Sequence, residues 1–178
     1  MRPEDILVPT PSGVCCKPGG FHIDPTRPVE KALITHGHSD HARAGHGAVL
    51  ATQETLDIMR LRYGEGFAGS TQAIAYGERL TLGGAAVSFH PAGHVLGSAQ
   101  IRVACGGLSI VALPSGRGAR SHLVDRLESP TSTPRSAVDV VVTEHGHADL
   151  RGRSDRERAE LIGAIFPTLT TVSNRRDP

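Results

Sequence analysis

Three histidines and one aspartate lie within residues 36–41, in the pattern His-x-His-x-Asp-His, directly after a strand-like run at residues 31–35. Imidazole and carboxylate groups are the usual protein ligands of zinc and related metals. His36 and His38 are two residues apart, so in extended backbone both side chains point to the same side. After the strand the chain can turn, and Asp40 and His41 can then face a second metal. The pattern predicts a metal site at a strand end; the alternative is a solvated, histidine-rich loop.

A second histidine segment, His-Pro-Ala-Gly-His-Val-Leu-Gly-Ser at residues 90–98, also follows a strand-like run. Loops that leave a sheet are where binding and catalytic side chains are concentrated. Taken alone, His94 would be interpreted as an ordinary core or surface residue. Beside the first cluster it is better interpreted as a further metal ligand. His90 lies on the alternating strand itself and is predicted not to be a direct ligand.

The composition excludes several classes of protein. A length of 178 residues fits one domain, or one domain and a fragment. With 19 basic and 18 acidic residues the net charge is +1, which gives no strong field of either sign. No apolar stretch is long enough for a membrane span, and residues 1–5 lack the apolar core of a secretory signal. Three cysteines, two of them adjacent, cannot form a disulfide framework, so a cytoplasmic location is expected.

Short strands and turns dominate residues 1–112. The helical period after Thr52 predicts one helix that begins at this N-cap and ends near Tyr63. The pair Gly106-Gly107 predicts a hairpin between strands at residues 100–105 and 108–112. This part of the chain therefore favours a sheet-rich domain.

The pattern changes at Leu113. Residues 113–137 contain five serines, three prolines and four arginines and show no strand period. A β-branched strand is predicted again at residues 138–143, and the capping box Ser154-x-x-Glu157 predicts a helix that ends at Pro167. We therefore divide the chain into residues 1–112, an irregular segment 113–137, and a strand-plus-helix remnant with a loose tail at 138–178.

The two histidine segments, about fifty residues apart, resemble the metallo-β-lactamase superfamily. Their wider context is similar to one branch, the β-CASP nucleases, and within it to bacterial ligase-associated DNA exonucleases, which are related to mRNA 3′-end processing factors. The resemblance rests on Pro-Gly-Gly-Phe-His-Ile-Asp-Pro at residues 18–25, Ile-Thr-His-Gly-His-Ser-Asp-His-Ala-Arg at 34–43 and His-Pro-Ala-Gly-His-Val-Leu-Gly-Ser-Ala-Gln at 90–100. It covers residues 1–112 and then 138–144.

This resemblance implies an α/β fold, the αβ/βα four-layer sandwich, with two zinc ions at the edge between its sheets. The chain would hold the N-terminal part of that fold, without a full β-CASP domain. His36, His38 and His94 would bind one zinc. Asp40 and His41 would bind the other, with Asp40 as the catalytic carboxylate.

Two further acidic residues match the family's motifs. Asp24 matches a carboxylate that orients the site from behind the ligands, since a ligating imidazole needs a partner for its other N–H. The alternative for Asp24 is a turn residue before Pro25. Glu144 matches a later acidic motif, which makes it a candidate site residue.

The resemblance also implies a reaction and partners. A water bound to zinc ionises near neutral pH, and two metals can share the hydroxide that attacks phosphorus and stabilise the developing charge. The metal core does not itself select the substrate. The resemblance points to DNA, with RNA open, to end processing or DNA repair, and to association with a DNA ligase. The alternatives are a hydrolase of small esters, thioesters or lactams, and an inactive zinc-binding fragment.

The family pattern breaks at Ser115-Gly116-Arg117, where the family has Ser-Gly-Asp and the aspartate bridges both metals. Arg117 cannot replace that carboxylate, because a guanidinium is repelled by two dications. A hypothesis for the break is that residues 113–137 are translated in a shifted reading frame. The family's last ligands and general acid would lie beyond position 178, so one zinc or none is expected here, with little or no activity.

A second pattern of the same kind, His145-Gly146-His147-Ala148-Asp149, invites a metal interpretation. Without a fourth ligand nearby, a solvated loop is predicted instead. Four arginines follow, interleaved with acidic residues, and are interpreted as a solvated helix start rather than a phosphate-binding patch: Arg151, Arg153, Arg156 and Arg158.

Overall fold

A computed structural model describes residues 2–113, 115–117, 120–121, 123, 134–143 and 145–166. Its framework is a pair of six-stranded sheets that face each other. The expectations for Glu144, and most of those for residues 113–137, lie outside the described residues.

The first sheet has its six strands in chain order. The first three are antiparallel neighbours, and the third to the sixth run parallel. The strands are β1 (Leu7–Thr10), β2 (Gly13–Cys16), β3 (Phe21–Ile23), β4 (Lys31–Leu33), β5 (His46–Ala51) and β6 (Ala68–Ala73).

The second sheet begins as an antiparallel meander, β7 (Arg79–Leu82), β8 (Ala85–Pro91), β9 (Ala99–Cys105) and β10 (Leu108–Ala112). A separate small sheet follows, in which two strands of two residues each pair antiparallel, β11 (Gly116–Arg117) and β12 (Arg120–Ser121). The chain then returns to the second sheet as β13 (Val140–Thr143), parallel to β10, and β14 (Gly146–Asp149), antiparallel to β13.

The main hydrophobic core lies between the two sheets. Strand β9 illustrates how each sheet presents one apolar face to the other. Its Ile101 and Val103 are fully buried between the sheets, while Arg102 between them points to the other face and is only partly buried. The same alternation on neighbouring strands brings large apolar side chains from both sheets into one cluster, including Phe21, Leu33, Phe89 and Ile110. Burial of this apolar surface is the main force that holds the sheets together.

Helices cover the outer faces. Helix α1 (Pro3–Ile6) is a single turn, and a 3₁₀ turn occupies Arg135–Ala137. Helix α2 (Gln53–Tyr63) packs Leu56 and Met59 onto the outer face of the first sheet, and α3 (Asp155–Ala164) packs beside β14 in a cluster with Leu150. The order helix, sheet, sheet, helix is the αβ/βα four-layer sandwich, so the predicted fold class is confirmed.

Several predicted elements are found where the sequence placed them. Thr52 caps α2, and Ser154 and Glu157 form the capping box of α3, with both reciprocal hydrogen bonds present. The Gly106-Gly107 hairpin joins β9 and β10.

One local prediction is wrong. Residues 145–149 were expected to be a solvated loop; Gly146–Asp149 instead forms β14, since β13 offers it a free edge. Among the described residues, no helix has the length and apolar character needed to cross a membrane.

Replacement of Ser154 by alanine should lower the free energy of unfolding by about 1 kcal/mol, because it removes the hydroxyl that accepts from the Glu157 N–H, while the backbone N–H of residue 154 still donates to the Glu157 carboxylate. Urea unfolding followed by circular dichroism measures the change. Ser154→Asp is the matched control and should stay close to wild type, since aspartate is an equally good cap. A loss of the same size in both variants would contradict this account.

Candidate metal centre

The candidate ligands meet at one edge of the sandwich because several strands end there. Asp24 follows β3, His36 follows β4, and His94 lies in the loop after β8. The β3 and β4 strands are parallel, so their carboxyl ends share one edge of the first sheet. A hydrogen bond of 2.8 Å from the Ala99 N–H to the Thr35 carbonyl joins the second sheet to this edge.

Three imidazoles converge at this edge. His38 Nδ1 and His94 Nε2 are 3.2 Å apart, and the ring centroids of His36 lie 4.8 Å from His38 and 5.0 Å from His94. One ligand atom from each of the three lies within 4.8 Å of the others. Two nitrogens bound to one tetrahedral zinc at about 2.0–2.1 Å would be separated by roughly 3.3 Å. The arrangement fits one zinc ion.

The hydrogen bonds of Thr35 fix the tautomer of His36. The Thr35 hydroxyl donates its single proton to Asp24 Oδ2 at 2.6 Å. It can therefore only accept at its 2.9 Å contact with His36 Nδ1, so Nδ1 carries the proton. The lone pair of His36 is then on Nε2, free for a metal.

The hydrogen bond with Asp24 likewise fixes the tautomer of His41. Its Oδ2 lies 2.8 Å from His41 Nδ1, and its Oδ1 accepts the Thr35 N–H at 2.8 Å. A carboxylate only accepts, so His41 Nδ1 donates and Nε2 faces Asp40 Oδ2 at 3.7 Å. Asp24 has a φ of 43°, a left-handed conformation that is uncommon outside glycine. Asp24 thus accepts three hydrogen bonds, two from Thr35 and one from His41.

Burial keeps His36 neutral. Its side chain is 6% exposed. Burial, followed by the neighbouring His41, His38 and His94, lowers the pKa of His36 from 6.5 to about 4, although Asp24 opposes the shift. A neutral imidazole is the form that binds a metal.

The second-metal side of the site is different. A cavity of about 320 Å³ lies between the sheets beside Asp24, Asp40 and His41. The second sheet lines it with Ala112, Leu113, Val142 and Thr143, so none of these described lining residues offers a carboxylate. Arg117 is in β11 and is not among the residues that line this cavity. The described part of the chain thus forms two groups of three ligand-type side chains, His36 with His38 and His94, and Asp24 with His36 and His41, and the two groups share His36.

Other predicted candidates lie apart from this centre. His90 contacts Ser88 Oγ at 2.9 Å on β8, and neither it nor His147 belongs to the described clusters of metal-type ligands. Arg151 pairs with Asp149 at 2.6 Å, while Arg153 and Arg156 pair with glutamates of α3. This agrees with the prediction of a solvated helix start.

The sequence did not predict which hydroxyl groups support the candidate ligands. Thr35 sets one tautomer, and Thr52, Tyr76 and Ser98 hold the loop that carries His94. Two of them offered a signal, Thr35 beside His36 and Ser98 in the segment that carries His94. Thr52 and Tyr76 are distant from His94 in sequence, and nothing local marks them as supports of its loop.

Three curated proteins are similar to parts of this chain. A ribonuclease of Thermus thermophilus is 30% identical over 175 residues, which cover 84% of this chain and 39% of the ribonuclease. A probable DNA ligase of Opitutus terrae is 35% identical over 81 residues, 46% of this chain and 8% of the ligase. A 4-hydroxybutyrate coenzyme A transferase of Clostridium kluyveri is 42% identical over 67 residues, 35% of this chain and 16% of the transferase. The chain therefore spans well under half of the length of each relative.

A family model, the acetyl-CoA hydrolase/transferase C-terminal domain, matches residues 94–166. Among solved structures, a B3 metallo-β-lactamase with an active-site glutamic acid has a TM-score of 0.49 at 17% identity, over 89% of this chain and 79% of that one. Zinc-bound PqqB from Methylobacterium extorquens has a TM-score of 0.43 at 15% identity, over 57% of this chain and 52% of that one.

The fold and the site define a protein of metallo-β-lactamase fold whose histidine cluster can hold a metal. Within that class, the chain resembles the ligase-associated and ribonuclease-type members, and the similarity to the Thermus ribonuclease and the probable DNA ligase supports this resemblance.

Asp24→Asn should weaken zinc binding about 10- to 100-fold, because the amide cannot accept from Thr35 and His41 as the carboxylate does. Competition with a chelator gives the zinc dissociation constant. Asp57→Asn, on exposed α2, removes a carboxylate away from the site and should leave the constant unchanged. An unchanged constant in Asp24→Asn would show that this carboxylate does not support the ligands.

The metal-free protein should lose stability as the pH falls from about 6.5 to about 4. In this window the unfolded chain binds a proton on His36 and the folded chain does not, so the free energy of unfolding decreases toward acid. The loss from this one group is at most about 3 kcal/mol. Urea unfolding at a series of pH values measures it, and His36→Asn should show a shallower slope. Equal slopes would contradict the assignment.

Proposed function

We propose that this chain carries the metal-binding part of a zinc-dependent phosphodiester hydrolase, most similar to a DNA exonuclease that acts in end processing or repair. The observation that carries the proposal is the convergence of His36, His38 and His94 at the edge between the sheets, with the tautomer of His36 already set. The motif context and the similarity to the Thermus ribonuclease and the probable DNA ligase support a nucleic-acid substrate.

The residues have separate roles in this proposal. His36, His38 and His94 bind the metal, and Asp24 orients the imidazole of His41. When bound, zinc supplies an activated water that is ionised near neutral pH. Asp40 is 58% exposed and faces the site, so its carboxylate can accept a proton from a water there.

We propose one zinc per chain. His36, His38 and His94 supply the three protein ligands of an open catalytic site. The second sheet faces Asp40 and His41 across the cavity with Ala112, Leu113, Val142 and Thr143. These side chains are apolar or carry a hydroxyl, so none of them supplies a bridging carboxylate. Asp24, His36 and His41 also bring ligand-type atoms within 4.8 Å of one another. In this proposal His36 binds the first ion and Asp24 accepts from Thr35 and His41, which leaves Asp40 and His41 for a second ion.

Two alternatives remain as competing proposals. One is a hydrolase of a small ester, thioester or lactam, since the metal core does not choose the substrate. The similarity of residues 94–166 to an acetyl-CoA hydrolase/transferase domain makes a thioester worth including in the assay. The other is a zinc-binding chain without turnover. A cytoplasmic location and contact with a DNA ligase also stay predictions.

Native mass spectrometry of the purified chain should show one zinc, and His94→Ala should lose it. His90→Ala is the matched control, a histidine close in sequence but outside the cluster, and should keep the metal. Two zinc ions in the wild type, or one in His94→Ala, would contradict the proposed ligand set.

The substrate class is tested with zinc-loaded protein on 5′-labelled single-stranded DNA, the same sequence as RNA, a chromogenic lactam and an acyl thioester. Cleavage of nucleic acid that is lost in His94→Ala and kept in His90→Ala is the expected result. Cleavage of the lactam or thioester alone would favour the small-substrate alternative. Zinc binding with no cleavage of any substrate would favour the alternative of a zinc-binding chain without turnover.

A further inference from the structure

The loop that carries His94 is exposed but firmly attached. His94 itself is exposed, and Leu96 at the loop tip is 72% exposed. Inside the loop, Ser98 Oγ accepts from the backbone N–H groups of His94 and Val95, both at 3.1 Å. These bonds fix the shape of the loop, but they do not fix its position relative to the other ligands.

Three hydroxyl groups outside the loop fix that position. Thr52 Oγ1 donates to the Gly97 carbonyl at 2.6 Å, and Thr55 Oγ1 lies 3.2 Å from the same oxygen. Tyr76 donates its hydroxyl to the Ser98 carbonyl at 2.9 Å. Thr52 and Thr55 are 2% and 0% exposed, so two of the three anchors are shielded from water.

The contact between loop and helix leaves no room for a side chain. Gly97 has a φ of +75°, and a Cβ built on it would lie 2.8 Å from both Glu54 Cβ and Thr52 Oγ1. The loop backbone therefore rests directly on the first turn of α2. The consecutive carbonyls of Gly97 and Ser98 are therefore both held by side chains outside the loop, the first by Thr52 and the second by Tyr76.

We propose that Thr52, Thr55 and Tyr76 are positioning residues for His94, which they hold at the distance from His38 that one metal ion requires. The inference rests on the proposed metal site and adds the reason why a ligand on an exposed loop can be part of it. Without the anchors the 3.2 Å approach of His94 Nε2 to His38 Nδ1 would have to be formed when the metal binds. Ordering the loop at that moment costs conformational entropy and weakens binding.

The double variant Thr55→Val/Tyr76→Phe tests this without removing the N-cap of α2 or any ligand. Its zinc dissociation constant should rise at least tenfold, and the visible spectrum of the cobalt-loaded protein should lose the intensity of a tetrahedral site. Thr55→Ser/Tyr76→Phe restores one hydroxyl and should recover part of the affinity. Ser109→Ala deletes a hydroxyl on β10 that donates to the Ala137 carbonyl at 2.6 Å, away from the histidine cluster, and should bind zinc as wild type does.

The outcomes are distinct. A double variant that melts at the wild-type temperature and binds zinc within twofold of wild type would overturn the inference. A wild type that binds no zinc would instead overturn the proposed function. An affinity loss shared by Ser109→Ala would show a general loss of stability and would also overturn the positioning role.

A second inference rests on different observations, namely where the motifs and the family-model match lie along the chain. The motifs of the nuclease resemblance are concentrated at residues 18–100, whereas the acetyl-CoA hydrolase/transferase model matches 94–166 and runs through the whole serine- and arginine-rich segment. A 4-hydroxybutyrate coenzyme A transferase, an enzyme of similar name, is 42% identical to this chain over 67 residues. A segment read in a shifted frame would not resemble another protein family.

The structure gives this segment a second apolar cluster, formed by residues of β14 and α3 and the residues next to them, which includes Ala148, Leu150, Ile165 and Phe166. Strand β13 lies between the two clusters, since its Val140 and Val142 are buried in the main core. The segment joins the rest of the second sheet through the parallel pairing of β10 with β13. We infer that the chain is composite: a metallo-β-lactamase-type segment continued, near β9 and β10, by a segment of coenzyme A transferase type.

The tryptic peptide of residues 103–117 crosses the junction and tests this inference. Its detection by mass spectrometry in cells that express the gene naturally, with one unbroken reading frame in independently prepared DNA, is the expected result. A gene that reads Ser-Gly-Asp in place of residues 115–117 after a change of frame, with the corresponding peptide, would overturn it.

Discussion

The packing of the two sheets on each other is the constraint on which the rest of this molecule depends. Phe21 and Leu33 from the first sheet meet Phe89 and Ile101 from the second in one buried cluster. Because these strands end at the same edge, the packing also brings the loop after β4 to the loop after β8. The metal ligands from the two sheets are neighbours because the apolar faces of these sheets pack against each other behind the site.

Within that frame, one carboxylate organises the polar side of the site. Asp24 accepts from the backbone and hydroxyl of Thr35 and from His41, and Thr35 in turn accepts from His36. Two imidazoles therefore present Nε2 toward the site before any metal arrives. Preorganisation of this kind reduces the cost of binding, since ligand orientation need not be acquired with the ion.

The two sides of the site differ because they come from different parts of the chain. His36, His38 and His94 lie in the stretch that carries the nuclease resemblance. The opposite wall, with Leu113 and Val142, lies within the stretch that matches a coenzyme A hydrolase/transferase domain. The composite origin that we infer accounts for both the apolar wall and the arginine at position 117, because a segment of another type has no bridging carboxylate to supply at these positions.

The sequence by itself determined the elements with local signals: the strands around the two histidine segments, the caps at Thr52 and Ser154, and the histidines as candidate ligands. Spacing, capping side chains and residue chemistry act over a few positions, so they can be read from the sequence. The tertiary structure decided what depends on distant pairings. It made residues 146–149 a strand, because β13 has a free edge, and attached the His94 loop to Thr52, Thr55 and Tyr76. The contacts of the His94 loop join residues 22 to 45 positions apart, and only packing of the sheets and α2 brings them together. Strand β14 pairs with the nearby β13, but β13 is itself placed in the sheet by its pairing with the more distant β10.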